Sequence, residues 1–305
     1  MKYNLDHLPA SKQNDLAHIT AVLRDEVEQV TGFANGKKKH SKILKIILFG
    51  SHATGKWVKD PAHGYVSDYD ILVILNNSEL VNEHKIWHSA EDRIALQVRP
   101  PLNILAHTLQ EVNAALNQGQ YFFTDIKQQG IVLFETDKRE LAQAGNLTPA
   151  ESKAIAEKHF KQWFESANEF LIDFSACVER QNLSKAAFEL HQATERLYAC
   201  VLLVISNYKP NTHNLKQLNS LAISKDERIA DVFPQDTKAQ RRRFQLLKQA
   251  YVDARYSEHY KITQEELEWL AERVHHFQQL TEKLYREKME RFEDFSKNAK
   301  ILTDT

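Results

Sequence analysis

Residues 46–51 read IILFGS and residues 67–73 read SDYDILV, and these two stretches decide the fold of the first half of the chain. Both contain apolar runs of strand length that are rich in β-branched side chains. Runs of this kind recur in the first half, at residues 43–49, 71–75, 102–105 and 131–134. A helical pattern of apolar residues precedes them over residues 15–30. The first half is therefore predicted to be an α/β or α+β domain with a small mixed sheet, and the class predicted for the chain is α+β.

The second half lacks glycine, since all eight glycines lie at or before Gly145. Uninterrupted stretches rich in Leu, Ala, Glu, Gln, Lys and Arg favour helices, because these side chains lose little freedom there. Helices are predicted at residues 149–180, 184–206, 214–222, 236–255 and 263–296. We expect a sheet-containing domain over residues 1–140 and an all-α helical bundle over residues 148–300. Thr148 and Glu151 have the spacing of a capping box at the start of the bundle.

The overall charge is nearly balanced, with 40 Lys and Arg against 41 Asp and Glu in 305 residues. This balance excludes a protein that coats nucleic acid, because such a protein needs a strongly positive surface. Cys177 and Cys200 are too few for a disulfide framework and are expected to be reduced and buried. The first residues lack the apolar core of a signal peptide, and no apolar run reaches the roughly 20 residues that span a bilayer. We therefore expect a cytoplasmic protein with no membrane partner.

Polar residues gather where the first and second apolar runs meet the intervening loop. Alternation along a strand places Asp68 and Asp70 on the same side, and paired carboxylates are suitable ligands for Mg²⁺. Gly50 lets the backbone approach a triphosphate closely, and the hydroxyl and N–H of Ser51 can donate to its oxygens. Taken alone, two aspartates at the start of a strand are equally typical of a solvated strand end. The four residues together indicate phosphoryl or nucleotidyl transfer.

The same order of residues resembles the minimal nucleotidyltransferases of the DNA polymerase β superfamily. In that family an apolar strand, Gly-Ser, a spacer and Asp-X-Asp opening the next strand follow one another. The resemblance implies that Asp68 and Asp70 are the catalytic residues and hold Mg²⁺ or Mn²⁺, while Gly50 and Ser51 bind the nucleotide. It further implies ATP as the substrate, with AMP moving to an acceptor and pyrophosphate leaving.

Two features depart from the family pattern. The spacer from His52 to Ser67 is longer than usual, and we interpret its extra residues, which include Asp60, Pro61 and Gly64, as a lid over the nucleotide. The family usually has a third carboxylate on a following strand, where this chain has Asn103. Asn103 offers a neutral ligand but cannot act as a base. Either another acid serves, with Asp125, Glu83 and Asp92 as candidates, or the domain mainly binds nucleotide.

Three segments of the second half, taken in order, resemble the HEPN family of helical bundles, and its sacsin-like branch in particular. They read FELHQATERLY at residues 188–198, YKPNTHNL at residues 208–215 and AYVDARYS at residues 250–257. The resemblance covers most of residues 150–285 and makes the chain similar to fused nucleotidyltransferase and HEPN proteins. Because HEPN relatives commonly pair through their bundles, it also implies a homodimer.

Many HEPN proteins are metal-independent ribonucleases that use Arg, four to six residues, and then His. Here only three residues separate Arg255 from His259. Three interpretations remain open. Arg255 and His259 form a ribonuclease centre, or Arg255 and Tyr256 bind a nucleotide or phosphate. In the third, Arg255 and His259 merely lie one turn apart on an exposed helix end. In related two-gene systems the transferase modifies a HEPN tyrosine, which makes Tyr256 or Tyr260 a candidate acceptor.

Three functions remain open from the sequence. The first is a Mg-dependent transfer of a nucleoside monophosphate to an acceptor that the HEPN domain binds or supplies. That acceptor is the chain's own tyrosine, another protein, RNA or a small molecule. The second is a toxin-antitoxin-like HEPN endoribonuclease restrained by its own transferase domain, and the third is a non-catalytic nucleotide sensor. Two basic runs, residues 37–40 and 241–243, are candidates for contact with nucleic acid, although short charge runs are usually solvated.

Overall fold

The computed structural model describes residues 1–57, 59–60, 65–136 and 138–303. These residues form two compact units, Met1–Asn146 and Leu147–Thr305. Among the described residues, no helix combines the length and the apolar character that crossing a membrane requires.

The first unit is an α+β fold, as predicted. Its helices and strands are, in chain order, α1 (Ala10–Gly32), β1 (Ile43–Phe49), α2 (Gly50–Thr54), β2 (Lys59–Asp60), β3 (Tyr65–Val66), β4 (Tyr69–Leu75), α3 (His84–Ala95), β5 (Leu102–Thr108), α4 (Leu109–Asn117), α5 (Tyr121–Gln129) and β6 (Ile131–Glu135). The helix predicted at 15–30 begins earlier, at Ala10, directly after Pro9. The apolar pattern did not predict this first turn, because its residues are mostly polar.

The four longer strands form one mixed sheet with the order β5-β4-β1-β6. β4 and β5 are parallel, whereas β1 is antiparallel to both β4 and β6. Every residue of β1 and β4 is buried, so both faces of the sheet are covered. α1 and α3 pack in the apolar core on one face, and α5 covers the other face, where the Phe122 ring meets Phe49. The register pairs Phe49 with Asp70 across the sheet, which places the Asp70 side chain on the α5 side.

The second unit is all helical, as predicted. Its helices are α6 (Pro149–Glu179), α7 (Leu183–Ser206), α8 (Leu215–Ile223), α9 (Lys238–Gln249), α10 (Asp253–Tyr256) and α11 (Gln264–Thr303). α7 is the central helix, packed along α6 and α11 and buried over most of its length. Thr148 and Glu151 form the predicted capping box, and Cys177 and Cys200 are free and buried, as expected.

The single helix predicted over residues 236–255 was wrong, because the structure ends α9 at Gln249 and begins the short α10 at Asp253. Near the end of α9, two backbone carbonyl groups accept hydrogen bonds from side chains in other parts of the bundle. The Leu247 carbonyl accepts from His191 Nδ1 at 2.9 Å, and the Leu246 carbonyl accepts from the Tyr260 hydroxyl at 3.1 Å. Long-range contacts of this kind leave no trace in helical periodicity.

Aromatic side chains on α6 serve the interior of the bundle. The Phe160 ring stacks on Tyr285 of α11 with 3.7 Å between centroids, and on Phe164 at 4.6 Å. Phe174 is buried, and Trp163 lies against the guanidinium of Arg196 at 5.2 Å. These aromatic side chains of α6 thus have partners within one chain, and the homodimer stays a prediction.

Candidate functional site

The two predicted metal ligands lie together at the start of β4. β4 and β5 run parallel with Asp70 opposite Asn103. The Asn103 Nδ2 group donates to Asp68 Oδ2 at 3.2 Å and to Asp70 Oδ1 at 3.0 Å. Asp70 and Asn103 are buried, and Asp68 is half-buried. A single amide thus brings both carboxylates to one point at the edge of the sheet.

Gly50 lies directly against this pair, at the end of β1. Its φ of 73° is in the left-handed region, which side chains with a Cβ rarely adopt. A Cβ at this position would collide with Asp70 Oδ2 and would lie 3.1 Å from Asp70 Cγ. The glycine is therefore required twice, once by its backbone conformation and once by the carboxylate beside it. Ser51 follows in α2 and is half-buried.

His52, the next residue, ties the backbone at Asp68 to α1. Its ring is fully buried, and Nδ1 donates to the Asp68 carbonyl at 2.9 Å, since a carbonyl oxygen only accepts. Nε2 then accepts from the Lys12 ammonium at 2.9 Å. Burial and the adjacent Lys12 charge lower the pKa of His52 to about 4. The ring is thus a neutral brace in a single tautomer, stacked parallel to Trp57 with 6.0 Å between centroids.

The three candidates for a further acid lie at different places in the first unit. Glu83 forms an ion pair with Lys38 at 2.7 Å, just before α3. Asp92 is exposed on α3, which packs against α1 on the opposite face of the sheet from Asp70. Asp125 is exposed on α5, the helix that covers the Asp70 side. Asp125 is therefore the one of the three on the same side of the sheet as the paired carboxylates.

The donor set fits a magnesium or manganese ion that is shared with a substrate. Two carboxylates offer the oxygen ligands that Mg²⁺ prefers, and Mg²⁺ commonly combines one or two carboxylates with substrate phosphates. Within the described ranges, no group of three or more His, Cys, Asp or Glu is arranged to hold a metal by itself. The two aspartates can thus anchor an ion only if another partner, such as a triphosphate, completes its coordination.

The long spacer between Ser51 and Asp68 contains a two-residue ladder in which Lys59–Asp60 pairs with Tyr65–Val66. Pro61 and Gly64, which we interpreted as part of a lid, lie outside the described residues. The lid therefore stays a prediction.

A second polar cluster forms in the helical unit, around Glu195 of α7. The buried Glu195 carboxylate accepts from His213 Nδ1 at 2.8 Å, and His213 lies in the connection between α7 and α8. The His213 ring stacks on Tyr251 with 4.5 Å between centroids and 14° between planes. Arg196 approaches the same carboxylate at 3.8 Å. The connection after α7 thus meets the Glu195 carboxylate through His213, and Tyr251 contacts this histidine from a third segment.

His191 lies one turn before Glu195 and is fully buried. Because its Nδ1 donates to the Leu247 carbonyl, Nε2 faces the Glu195 carboxylate as an acceptor, 3.9 Å away and without a hydrogen-bond partner. Burial lowers the pKa of His191, which favours the neutral form of this ring beside the carboxylate.

Sequence analysis did not assign a functional role to Glu195 or His213, although both lie in the segments that carry the HEPN resemblance. The available signal was the i,i+4 spacing of His191 and Glu195, which places both on one face of a helix. Nothing in the sequence places His213 beside them, because the pairing depends on the path of the chain after α7.

The predicted residues Arg255, Tyr256 and His259 do not form one cluster. Arg255 lies over the Tyr251 ring at 4.7 Å and beside the exposed Tyr256 ring at 5.0 Å, and its Nε donates to the Tyr251 carbonyl at 2.6 Å. In the described part of the chain, the contacts of Arg255 are with other residues than His259. α10 ends at Tyr256, so His259 lies beyond the helix, and the interpretation of two residues one turn apart on a helix end was wrong.

The two basic runs are largely engaged within the chain. Lys38 pairs with Glu83 in the first unit. In the second unit, Arg242 and Arg243 pair with carboxylates of α11, namely Glu266 at 2.8 Å and Glu265 at 2.7 Å. These contacts favour a structural role over a nucleic-acid surface for the second run, whereas in the first run they engage one residue, Lys38.

Comparison with known families agrees with this architecture. Residues 34–139 match the family model described as polymerase beta, nucleotidyltransferase. Residues 160–302 match the model of the HEPN domain. No curated protein matches the chain. The chain therefore has a nucleotidyltransferase domain of the polymerase β type followed by a HEPN domain, which confirms the predicted fused architecture and the α+β class.

Proposed function

We propose that the first unit is a metal-dependent nucleotidyltransferase that moves a nucleoside monophosphate, AMP from ATP, onto an acceptor bound or supplied by the HEPN domain. One observation carries the proposal. Asp68, Asp70 and Asn103 converge within hydrogen-bond distance beside a glycine whose missing side chain leaves room for them.

In this proposal, Asp68 and Asp70 hold Mg²⁺ or Mn²⁺. When bound, the metal supplies positive charge to the triphosphate and to the oxygen that leaves with pyrophosphate. Gly50 keeps the backbone clear at the carboxylates, and Ser51 donates its hydroxyl and N–H to the phosphate oxygens. The rate enhancement comes from positioning and from stabilisation of charge. His52 contributes indirectly, because its bond to the Asp68 carbonyl fixes the backbone that carries the first ligand.

The structure distinguishes the two tyrosines considered as self-acceptors. The Tyr260 hydroxyl donates to the Leu246 carbonyl, and burial raises the pKa of this phenol. Tyr256 is 77% exposed. Of the two, only Tyr256 has a hydroxyl that an incoming nucleotide can reach without unfolding α10 and the loop after it.

The test is intact mass spectrometry of the purified chain before and after incubation with ATP and Mg²⁺. The parallel sample is the double variant Asp68→Asn, Asp70→Asn. We expect a gain the size of AMP, or release of pyrophosphate when an external acceptor is added, in the parent chain only. ATP binding with neither a gain nor pyrophosphate release would contradict the proposal and favour the non-catalytic sensor. Transfer that is equally fast in the double variant would contradict the assignment of the two aspartates.

A further inference from the structure

The Glu195–His213 pair presents an imidazole that is already oriented and has one nitrogen available. A carboxylate only accepts hydrogen bonds, so the 2.8 Å contact requires the proton to sit on His213 Nδ1. In the neutral imidazole Nε2 then carries a lone pair, and it makes no hydrogen bond to the residues that the structure describes. The His213 side chain is 53% exposed, whereas that of Glu195 is 2% exposed. This arrangement is typical of an activated nucleophile held by a buried carboxylate.

In the first unit, an amide stands where the resemblance expects a carboxylate that could act as a base. A hydroxyl acceptor must lose its proton as it attacks a phosphate, and a nearby base must take that proton. Asn103 lies opposite Asp70, on the strand where the resemblance expects a third carboxylate, and an amide cannot serve as that base. An acceptor nitrogen that carries a lone pair and no proton removes this requirement.

We infer that Nε2 of His213 is the acceptor in the proposed nucleotidyl transfer. This inference rests on the proposed function and identifies its acceptor. In the step, the Nε2 lone pair attacks the α-phosphorus of ATP and a P–N bond forms. The bond between the α-phosphorus and the oxygen bridging to the β-phosphate breaks, and pyrophosphate leaves with that electron pair. No proton is transferred, and the imidazole gains a positive charge.

The surroundings of His213 stabilise this product. The new ring charge lies beside the buried Glu195 carboxylate, an unlike charge in a poorly solvated site. The Arg255 guanidinium lies 4.7 Å from the centre of the Tyr251 ring, and the His213 ring stacks on the same tyrosine with 4.5 Å between centroids. Lys209 adds a second cation that interacts with Glu195, and burial lowers the pKa of this ammonium.

Other histidines of the helical unit lack one of these properties. His191 is fully buried, and its Nδ1 donates to a backbone carbonyl rather than to a carboxylate. His259 is exposed, and among the described residues its one hydrogen bond is made by its backbone N–H, which donates to Ser257 Oγ at 3.2 Å. His259 is therefore a matched control, because it is accessible but is not oriented by an acid.

The experiment uses the full chain with ATP and Mg²⁺, analysed by intact mass and by peptide mapping. The samples are the parent and the variants His213→Gln, His259→Gln and Tyr256→Phe. We expect an AMP-sized gain in the parent, in His259→Gln and in Tyr256→Phe, and a gain that is at least tenfold slower in His213→Gln. The parent adduct should be lost in mild acid and retained in mild alkali, as a phosphoramidate is, whereas a tyrosyl phosphodiester survives acid.

The possible results separate the acceptor from the transferase. A gain that persists in His213→Gln, resists acid or maps to another residue overturns the acceptor and leaves the proposed function standing. Pyrophosphate release without a mass gain does the same, because the acceptor is then external. If neither pyrophosphate release nor a gain occurs in the parent, both the proposed function and the acceptor fail. The acid test and peptide mapping use the parent alone, so they decide the question even if His213→Gln does not fold.

Discussion

The two polar clusters of this protein are built in opposite ways. In the first unit, Asp68 and Asp70 are held by a neutral amide on the neighbouring strand, and only strand register is needed to bring them together. In the second unit, one buried carboxylate, Glu195, is held by an imidazole from a distant connection, with Arg196 close by. The first cluster brings two carboxylates together at one amide, whereas the second brings an imidazole and a guanidinium to one carboxylate.

This difference indicates how the two clusters divide the chemistry. A pair of carboxylates joined by a neutral amide is suited to a metal and a triphosphate that arrive together. An acid that orients a histidine is suited to a reaction at the outer nitrogen of that ring. In the proposed reaction the outer nitrogen of His213 complements the amide at Asn103, because a nitrogen acceptor without a proton needs no base.

The largest expected effect is on the rate of nucleotide transfer, when one negative charge is removed from the first cluster. Asp70→Asn should slow nucleotide transfer by about a hundredfold or more, because metal-held charge contributes several kcal/mol to the transition state. Asp92→Asn is the matched control, since Asp92 is an exposed aspartate on α3, across the sheet. Rates of pyrophosphate release measure both variants. Equal rates for Asp70→Asn and Asp92→Asn would contradict the assignment.

Removing the charge from the second cluster should instead lower stability. Glu195→Ala leaves Arg196 and His213 without their buried partner, and we expect a loss of about 2 kcal/mol in the free energy of unfolding. This figure is on the low side for a buried pair because His213 is half exposed. Glu282→Ala, which removes an exposed pair with Arg286, should change stability by less than about 0.5 kcal/mol.

Urea unfolding of both variants tests the contrast between the buried and the exposed pair. A loss for Glu195→Ala no larger than that for Glu282→Ala would show that the Glu195 contacts are not coupled to folding.

The His52 brace makes the first unit sensitive to acid. Its folded pKa is about 4 and its ordinary value is 6.5, so the unfolded chain binds more protons between these pH values. The contribution of this group to stability is therefore fully present above about pH 6.5 and is lost as the pH drops, by about 2 kcal/mol at pH 5 and about 3 kcal/mol at pH 4. Urea unfolding at pH 7.5 and pH 5, compared between the parent and His52→Gln, isolates the contribution. A variant with the same pH dependence as the parent would contradict it.

The smallest expected effect comes from replacing Gly50, and it separates the need for a positive φ from the need for space beside the Asp70 carboxylate. Gly50 and Gly55 both have positive φ, 73° and 77°, so alanine at either should lower stability by about 1 kcal/mol. At Gly55 the nearest atom to an added Cβ is 3.7 Å away, whereas at Gly50 the Cβ collides with the Asp70 carboxylate. Only Gly50→Ala should therefore slow transfer, by about tenfold. Thermal unfolding measures the stability of both variants, and pyrophosphate release measures their transfer rates. Equal transfer rates in the two variants would show that the collision with Asp70 does not disturb the site.

The same contrast explains what the sequence could and could not predict. The strands and the pairing of Asp68 with Asp70 follow from apolar runs and from alternation over three residues, and the structure has both. Asn103 was placed correctly on the next strand, but its bonds to both carboxylates depend on the register between β4 and β5. His52 gave no signal, because its role depends on Lys12 from another helix.

In the second unit, more of the structure could not be predicted from the sequence. Periodicity predicted the long helices, yet it missed the break after α9, where His191 and Tyr260 take the last carbonyls of that helix. The Glu195–His213 contact joins residues 18 positions apart across an irregular connection. Such a contact depends on how the loop folds back on the bundle, which no local pattern encodes.

The most direct test of nucleotidyl transfer follows the two ends of the triphosphate separately. The full chain is incubated with Mg²⁺ and ATP carrying a label at either the α- or the γ-phosphate. We expect the α-label to become attached to the chain and the γ-label to appear in pyrophosphate, with both changes absent from the Asp68→Asn, Asp70→Asn variant. Attachment of the γ-label to the chain, or its release as inorganic phosphate with no pyrophosphate, would contradict the account.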